Sequence, residues 1–235
     1  MPTPRRRLPS PPYNPGVRDL VAGKRQWDAR ASVANQKKGF RGWHERGYIP
    51  HRDSPGLSQF ITYHLADAFP SILLAEWTAL VRIEQDRERR KELEAYLDKG
   101  HGNCWLRRPE IANVCERGFL HFADERYFLK AWCLMPNHVH VLVRIIDEPM
   151  ANIVKVWKGY TARQCNTILK RSEAFWASDY WDTYMRDDEH ERRTVHYIEN
   201  NPVKSGLVPE AKSWPWSSAR FRDGAGVLRP PLRSS

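Results

Sequence analysis

The run "MPNHVHVLV", Met135 to Val143, sets the reading of the whole chain. Alternate residues of a strand project to one face, so His138 and His140 stand side by side while Val139, Val141 and Val143 line the opposite, core-facing side. Just upstream, "RYFLKAWCLM" (126–135) also reads as a strand, and Pro136-Asn137 supplies the turn between the two. Residues 126–145 therefore form an antiparallel hairpin, a rigid platform for a site. Two adjacent imidazoles on such a platform are half a metal site, because a divalent cation needs further ligands.

Working outward, "SQFITYHLA" (58–66) alternates as a strand, with Phe60, Thr62 and His64 opposed to Ile61, Tyr63 and Leu65. Ser71 can cap a helix whose Leu73, Trp77, Leu80, Val81 and Ile83 form an apolar stripe. Its continuation, "EQDRERRKELEAYLDKG", is nearly all charged, which predicts a solvated stretch ending near Gly100. Pro109 suits the first turn of a helix running to about Phe122. A helix over 150–170 carries Ile153, Val156, Trp157, Tyr160 and Ile168 at helical spacing, with Lys155 and Lys158 on its wetter side. The aromatic-rich "FWASDYWDTYMRD" (175–187) reads as a short strand, its rings mostly in the core. The order strand, helices, hairpin, helix, strand, helix predicts an α+β fold around one antiparallel sheet.

A last helix is expected from about 188 to about 200, opened by Asp188 with Glu191 three residues on and ended before Pro202. Val195 and Ile198 mark its buried face. Tyr197 has Arg193 four residues before it and Asn201 four after, so a phenol, a guanidinium and an amide share one flank of the helix.

Charge is unevenly spread. The chain of 235 residues carries a net +10, yet residues 1–57 hold 12 Lys/Arg against 4 Asp/Glu and eight of the 17 prolines. Such a segment is too polar and proline-rich to build a core, which predicts a basic arm, largely disordered to about residue 40 and suited to phosphate contacts. No apolar run is long enough for a membrane span, and "MPTPRRRLPS" is no signal peptide. The four cysteines lack C-x-x-C spacing, which argues against a zinc knuckle or a disulfide scaffold and for reduced thiols in a cytoplasmic protein.

The motifs "GWHERGYIPH" (42–51), "QFITYHLADAFP" (59–70), "MPNHVHVLV" (135–143), "FWASDYWDTYMRD" (175–187) and "YIENNPVKSGLV" (197–208) together resemble the single-tyrosine HUH transposases of insertion sequences. More closely still, the chain resembles their REP-associated relatives. The resemblance implies a ferredoxin-like catalytic domain over 58–208, flanked by the arm (1–57) and a C-terminal extension (209–235). It implies a nucleoid-associated, metal-dependent single-strand DNA endonuclease and transposase that acts as monomer or homodimer on palindromic repeat hairpins. Tyr197 is then the nucleophile forming a 5′-phosphotyrosine, with Mg²⁺ or Mn²⁺ held by His138, His140 and Asn201. Asn201 departs from the insertion-sequence enzymes, which usually place Gln there. Arg193, Lys155, Lys158, Trp214, Trp216 and Arg220 are the expected DNA contacts; the last three lie in "SWPWSSARFRD" (213–223), a region that in the family helps read motifs beside a hairpin.

Two other function classes fit parts of the sequence. A domesticated protein that grips hairpins without cutting would be free to lose the histidines and the tyrosine, which are intact here. A His-x-His metallohydrolase would need downstream carboxylates or histidines in a convincing set, and the chain offers none.

Overall fold

The computed structural model describes residues 33–45, 50–69, 92 and 94–230. The helix expected from Ser71 lies mostly outside the described residues, although 94–98, at its end, are helical. Most of the arm, residues 1–32, also lies outside them. Its last part does not fit the expectation of disorder to residue 40: Val33–Lys37 form a short helix, α1. Phe40 is buried in the main core, and Lys38 pairs with Asp147 at 2.6 Å. One aromatic anchor and one ion pair thus dock the end of an otherwise basic, proline-rich segment. A two-stranded antiparallel hairpin follows, β1 (Gly42–Glu45) with β2 (Pro50–Asp53).

The main sheet has four strands, β3 (Ser58–His64), β4 (Tyr127–Leu134), β5 (His138–Ile145) and β6 (Trp181–Tyr184), in the order β4-β5-β3-β6, every pairing antiparallel. Helix α2 (Pro109–His121) precedes the β4–β5 hairpin and α3 (Met150–Leu169) links β5 to β6. This strand order and helix placement are the ferredoxin-like arrangement that the family resemblance implies. The register explains the two faces. His64 is paired with His138, Thr62 with His140 and Phe60 with Leu142, so these six side chains share one face. Ile61, Tyr63, Val139, Val141 and Val143 share the other, where α2 and α3 pack over them with Ile111, Phe119, Ile153 and Trp157.

Helix α4 (Asp188–Lys204) covers the histidine face. It starts at Asp188, as expected, but the N-cap is Asp187, whose carboxylate accepts from the His190 amide at 2.7 Å. It also runs through Pro202 instead of ending before it. Pro202 is buried against the fold, and the stop comes at Gly206, whose φ of +68° lets the amides of Ser205, Gly206 and Leu207 close onto the carbonyls of Asn201, Val203 and Pro202. Ile198 is wholly buried between this helix and the sheet, with Leu142, Cys133 and Met185.

The C-terminal segment is a built part of the sheet edge. The Leu134 amide donates to the Trp216 carbonyl (2.9 Å) and the Trp132 amide to Ser218 Oγ (3.1 Å). A β-bulge between Leu129 and Ala131 leaves Lys130 outside the ladder, and its carbonyl accepts from Arg222 Nη2. Arg222 also holds Glu199 of α4 at 2.7 Å, tying that helix to the same strap. Among the described residues no helix is long and apolar enough to cross a membrane.

Candidate active site

His138 and His140 are 0% exposed, closed between β3, β5 and α4. Each ring has an outer partner that fixes its orientation. His138 Nδ1 donates to Asn137 Oδ1 at 2.8 Å, and Asn137 is itself oriented by its amide nitrogen donating to the His101 carbonyl at 2.9 Å. His140 Nδ1 lies 2.9 Å from Thr62 Oγ1 across the strand pair. The third histidine of this face, His64, turns its Nδ1 to the Leu65 carbonyl at 2.7 Å.

The inner nitrogens face one another. His138 Nε2 and His140 Nε2 are 3.1 Å apart. With its Nδ1 proton given to Asn137, His138 presents a lone pair at Nε2. Asn201 Nδ2 donates to His140 Nε2 at 3.0 Å, so His140 presents one too and keeps its proton on Nδ1. Burial is the first cause that holds both rings neutral: His138 sits well below the ordinary histidine value, helped by His140, His64 and Lys204, and His140 is lowered to about 3, helped by Lys204. His64 is lowered by burial to about 4.

Tyr197 enters from α4, 57 positions after His140 in the chain. Asn201 Nδ2 reaches its hydroxyl at 3.3 Å, while the ring lies edge-on to Phe60 at 6.0 Å and 5.7 Å from the His140 ring. Burial raises the phenol's pKa far above its usual value, and the carboxylates of Glu94 and Asp98 add to this; the hydroxyl hydrogen-bonds to Glu94. The phenol is therefore firmly protonated without a nearby cation. Lys204, one turn after Asn201, puts its ammonium 5.7 Å from the Tyr197 ring and 3.3 Å from Asp98 Oδ2.

These donors fit a divalent cation. Two neutral imidazole lone pairs point at each other, and Asp98 Oδ1 stands 3.8 Å from His138 Nε2, buried and without a hydrogen-bond partner. His138 Nε2 and Asp98 Oδ1 confront each other with no donor between them, and only His140 Nε2 receives one, from Asn201; such a crowd of acceptors suits a positive ion better than it suits itself. No set of three His, Cys, Asp or Glu side chains among the described residues already stands at ligating positions, so a third protein ligand must come from Asn201 or from a movement of Asp98.

The expected residues divide cleanly. His138, His140, Asn201 and Tyr197 converge. Arg193 does not join them: it is exposed on α4 and feels Asp187 and His190 instead. Lys155 and Lys158 lie on α3, across the sheet. Lys155 is exposed there beside a cavity of about 790 Å³ that Arg117, Tyr160 and Arg163 also line. Lys158 has a structural task, donating to the carbonyls of Ala177, Ser178 (2.9 Å) and Asp179 (3.2 Å). Trp214 is buried and donates to the Leu134 carbonyl at 2.8 Å; Trp216 donates to Asn113 at 3.0 Å; Arg220 pairs with Glu116 at 2.6 Å. Those three secure the strap on the sheet edge.

Sequence reasoning missed Thr62, His64, Glu94, Asp98 and Lys204. The first two were legible as the polar side of an alternating strand. Glu94 and Asp98, four apart, sit in the charged stretch read as solvated, and only the placement of that segment against His138 and Tyr197 reveals them.

The site thus joins a buried pair of histidines to a tyrosine delivered by a helix, and part of the chain is similar to known proteins. Residues 110–201, a segment running from α2 to Asn201, match the family model described as "Transposase IS200 like". The chain is 32% identical over 99 residues (37% of this chain, 56% of the relative) to a Haemophilus influenzae protein named as a REP-associated tyrosine transposase. It is 29% identical over 109 residues (46% of this chain, 62% of the relative) to the REP-associated tyrosine transposase of Escherichia coli. The match thus spans a little over half the length of those relatives. A solved structure of a REP-associated tyrosine transposase bound to a REP hairpin aligns over 77% of this chain and 87% of that one, with 18% identity and a TM-score of 0.46.

Proposed function

We propose that this chain is a metal-dependent single-stranded DNA endonuclease and transposase that cleaves and rejoins DNA beside palindromic repeat hairpins, with Tyr197 as nucleophile. The observation that carries the reading is the delivery of the Tyr197 hydroxyl, through Asn201, to the acceptor face of the paired histidines. The match of 110–201 to a transposase family model and the REP association of its relatives support it.

In the proposed step the phenolic oxygen attacks the scissile phosphorus, a tyrosyl O–P bond forms, and the P–O3′ bond breaks. The phenolic proton passes to Glu94, the acceptor of the Tyr197 hydroxyl, and the leaving oxygen takes a proton from solvent water to become a 3′-hydroxyl, Glu94 returning its own to solvent. Phosphodiester energy is kept in the 5′-phosphotyrosine for rejoining. A Mg²⁺ or Mn²⁺ ion held by His138, His140 and an oxygen ligand would supply positive charge to the scissile phosphate and lower the phenol's pKa. Asn137 and Thr62 keep the histidine tautomers suited to that task. The dry, closed site strengthens each of these interactions.

The test is to incubate the protein with end-labelled repeat-hairpin DNA and Mn²⁺ or Mg²⁺, with a chelator control, and to resolve products on a denaturing gel. A metal-dependent protein–DNA adduct is expected. Hairpin binding with no adduct under any metal would overturn the enzyme reading in favour of a protein that grips hairpins without cutting them.

A further inference from the structure

Asn201 occupies the position where the resembled family keeps a metal ligand, yet its amide is turned to other work. Both Nδ2 contacts, to His140 Nε2 at 3.0 Å and to the Tyr197 oxygen at 3.3 Å, present hydrogens, not the oxygen, to the histidine pair. Its Oδ1 faces Ser205 Oγ at 3.4 Å, on the far side of the amide. On its shorter arm Asn bridges the nucleophile and one imidazole.

Asp98 shows the opposite pattern. Its Oδ1 has less than a hydrogen bond's worth of company: it is buried, lacks a donor, and lies 3.8 Å from the lone pair of His138 Nε2. Its other oxygen is held at 3.3 Å by Lys204, which extends from the last turn of α4. A carboxylate oxygen aimed at a neutral imidazole's lone pair is repelled unless a cation stands between them. Hard divalent ions such as Mg²⁺ and Mn²⁺ also favour a carboxylate oxygen over a neutral amide.

We infer that Asp98, by a small movement toward His138 and His140, supplies the carboxylate ligand of the metal site, and that Asn201 is a positioning residue that holds Tyr197 against His140. The inference rests on the metal-dependent reading above. It gives Lys204 a defined part, as the cation that holds Asp98 near the histidines and competes with the metal for its charge.

The experiment is Mn²⁺ titration of the full chain without DNA, followed by calorimetry and by the loss of free-Mn²⁺ EPR signal, for wild type, Asp98→Asn, Asp98→Ala, Asn201→Ala and Lys204→Met. Wild type is expected to bind one Mn²⁺. Asp98→Asn, which keeps the shape, and Asp98→Ala should each weaken binding at least about tenfold, in line with the cost of losing supporting metal-site groups. Asn201→Ala should change it less than about threefold, and Lys204→Met should tighten it. Melting curves in chelator separate a lost ligand from a lost fold, because Asp98→Asn relieves a buried, partnerless carboxylate oxygen and should not lower the metal-free midpoint. Wild-type-like Mn²⁺ affinity in Asp98→Asn, with the loss in Asn201→Ala instead, would overturn the inference and leave the metal-dependent reading standing. A wild type that binds no Mn²⁺ would overturn both.

Discussion

The two faces of the same sheet are buried to a similar degree and built on opposite principles. Under α2 and α3, β5 offers Val139, Val141 and Val143, and its neighbours answer with Ile61, Tyr63 and Trp132. The polar atoms there are few: Trp157 Nε1 donates to Tyr127 OH (2.8 Å) and Tyr127 OH to the Phe119 carbonyl (2.7 Å), while the buried Tyr63 hydroxyl has no hydrogen-bond partner. Under α4 the same strand offers His138, His140 and Leu142, and the facing groups are Thr62, His64, Asn201 and Tyr197. Acceptors there confront one another, and the rings stay neutral chiefly because burial opposes their charge. One face stores stability; the other keeps buried polar groups at a cost to stability.

The largest expected effect lies on the polar face. Tyr197→Phe removes one oxygen and keeps the ring beside Phe60, so adduct formation should disappear while the melting midpoint and hairpin affinity change little. An adduct surviving in this variant would show that another residue attacks. His138→Ala with His140→Ala should abolish metal-dependent cleavage as well, and hairpin retardation on native gels should persist, since phosphate contacts elsewhere supply most affinity. The same double change should lower the melting midpoint in chelator, because it leaves a cavity where two buried rings stood and strands the groups of Asn137, Thr62 and Asn201 that bond them.

On the apolar face the order of effects reverses. Ile61→Ala should lose about 2–5 kcal/mol of folding stability, the usual cost of a cavity in a packed core, with cleavage per folded molecule unchanged. Urea unfolding alongside single-turnover cleavage measures both. A large loss of cleavage without loss of stability would mean that the two faces are not separable.

Acid should expose the difference more gently. The folded chain holds His64 at about 4 and His140 at about 3, below the ordinary value of 6.5, so the unfolded chain binds protons that the folded one refuses. Stability is then full above about pH 6.5 and falls as pH drops through 6 and 5 toward 4. Replacing both site histidines with Ala should make that decline shallower, measured as urea midpoints in chelator at a series of pH values. An equally steep decline in the double variant would assign the acid sensitivity to carboxylates elsewhere.

The apolar face and the elements themselves were legible from local periodicity, in the alternation of 58–66 and 126–145 and the helical spacing of 109–122 and 150–170, whereas the ferredoxin-like arrangement came from the family resemblance. Of the site, His138 and His140 could be placed on one face by period alone, and Tyr197 with Asn201 by helical phase together with the family resemblance. The rest was hidden for particular physical reasons. Arg193 has the right phase relative to Tyr197, but helical phase covers a wide arc, and the residue faces solvent. Pro202 reads locally as a helix stop, yet burial of its ring and a left-handed Gly206 carry α4 on to Lys204, the residue that grips Asp98. Trp214, Trp216 and Arg220 look like a basic aromatic surface, but each finds a partner across 80 or more residues that no local pattern announces. Asp98 was masked by its own neighbourhood, a charged run whose bland reading as solvated holds for many such runs.

The central claim is that the polar face of the sheet carries out transesterification through Tyr197. It is tested most directly by trapping the protein on repeat-hairpin DNA with Mn²⁺, digesting both polymers, and locating the residual nucleotide by tandem mass spectrometry. The account predicts a nucleotide 5′-phosphate on Tyr197, absent in chelator and absent from the His138→Ala, His140→Ala variant. A nucleotide on any other residue, or one on Tyr197 that forms equally well without metal and without the histidines, would contradict it.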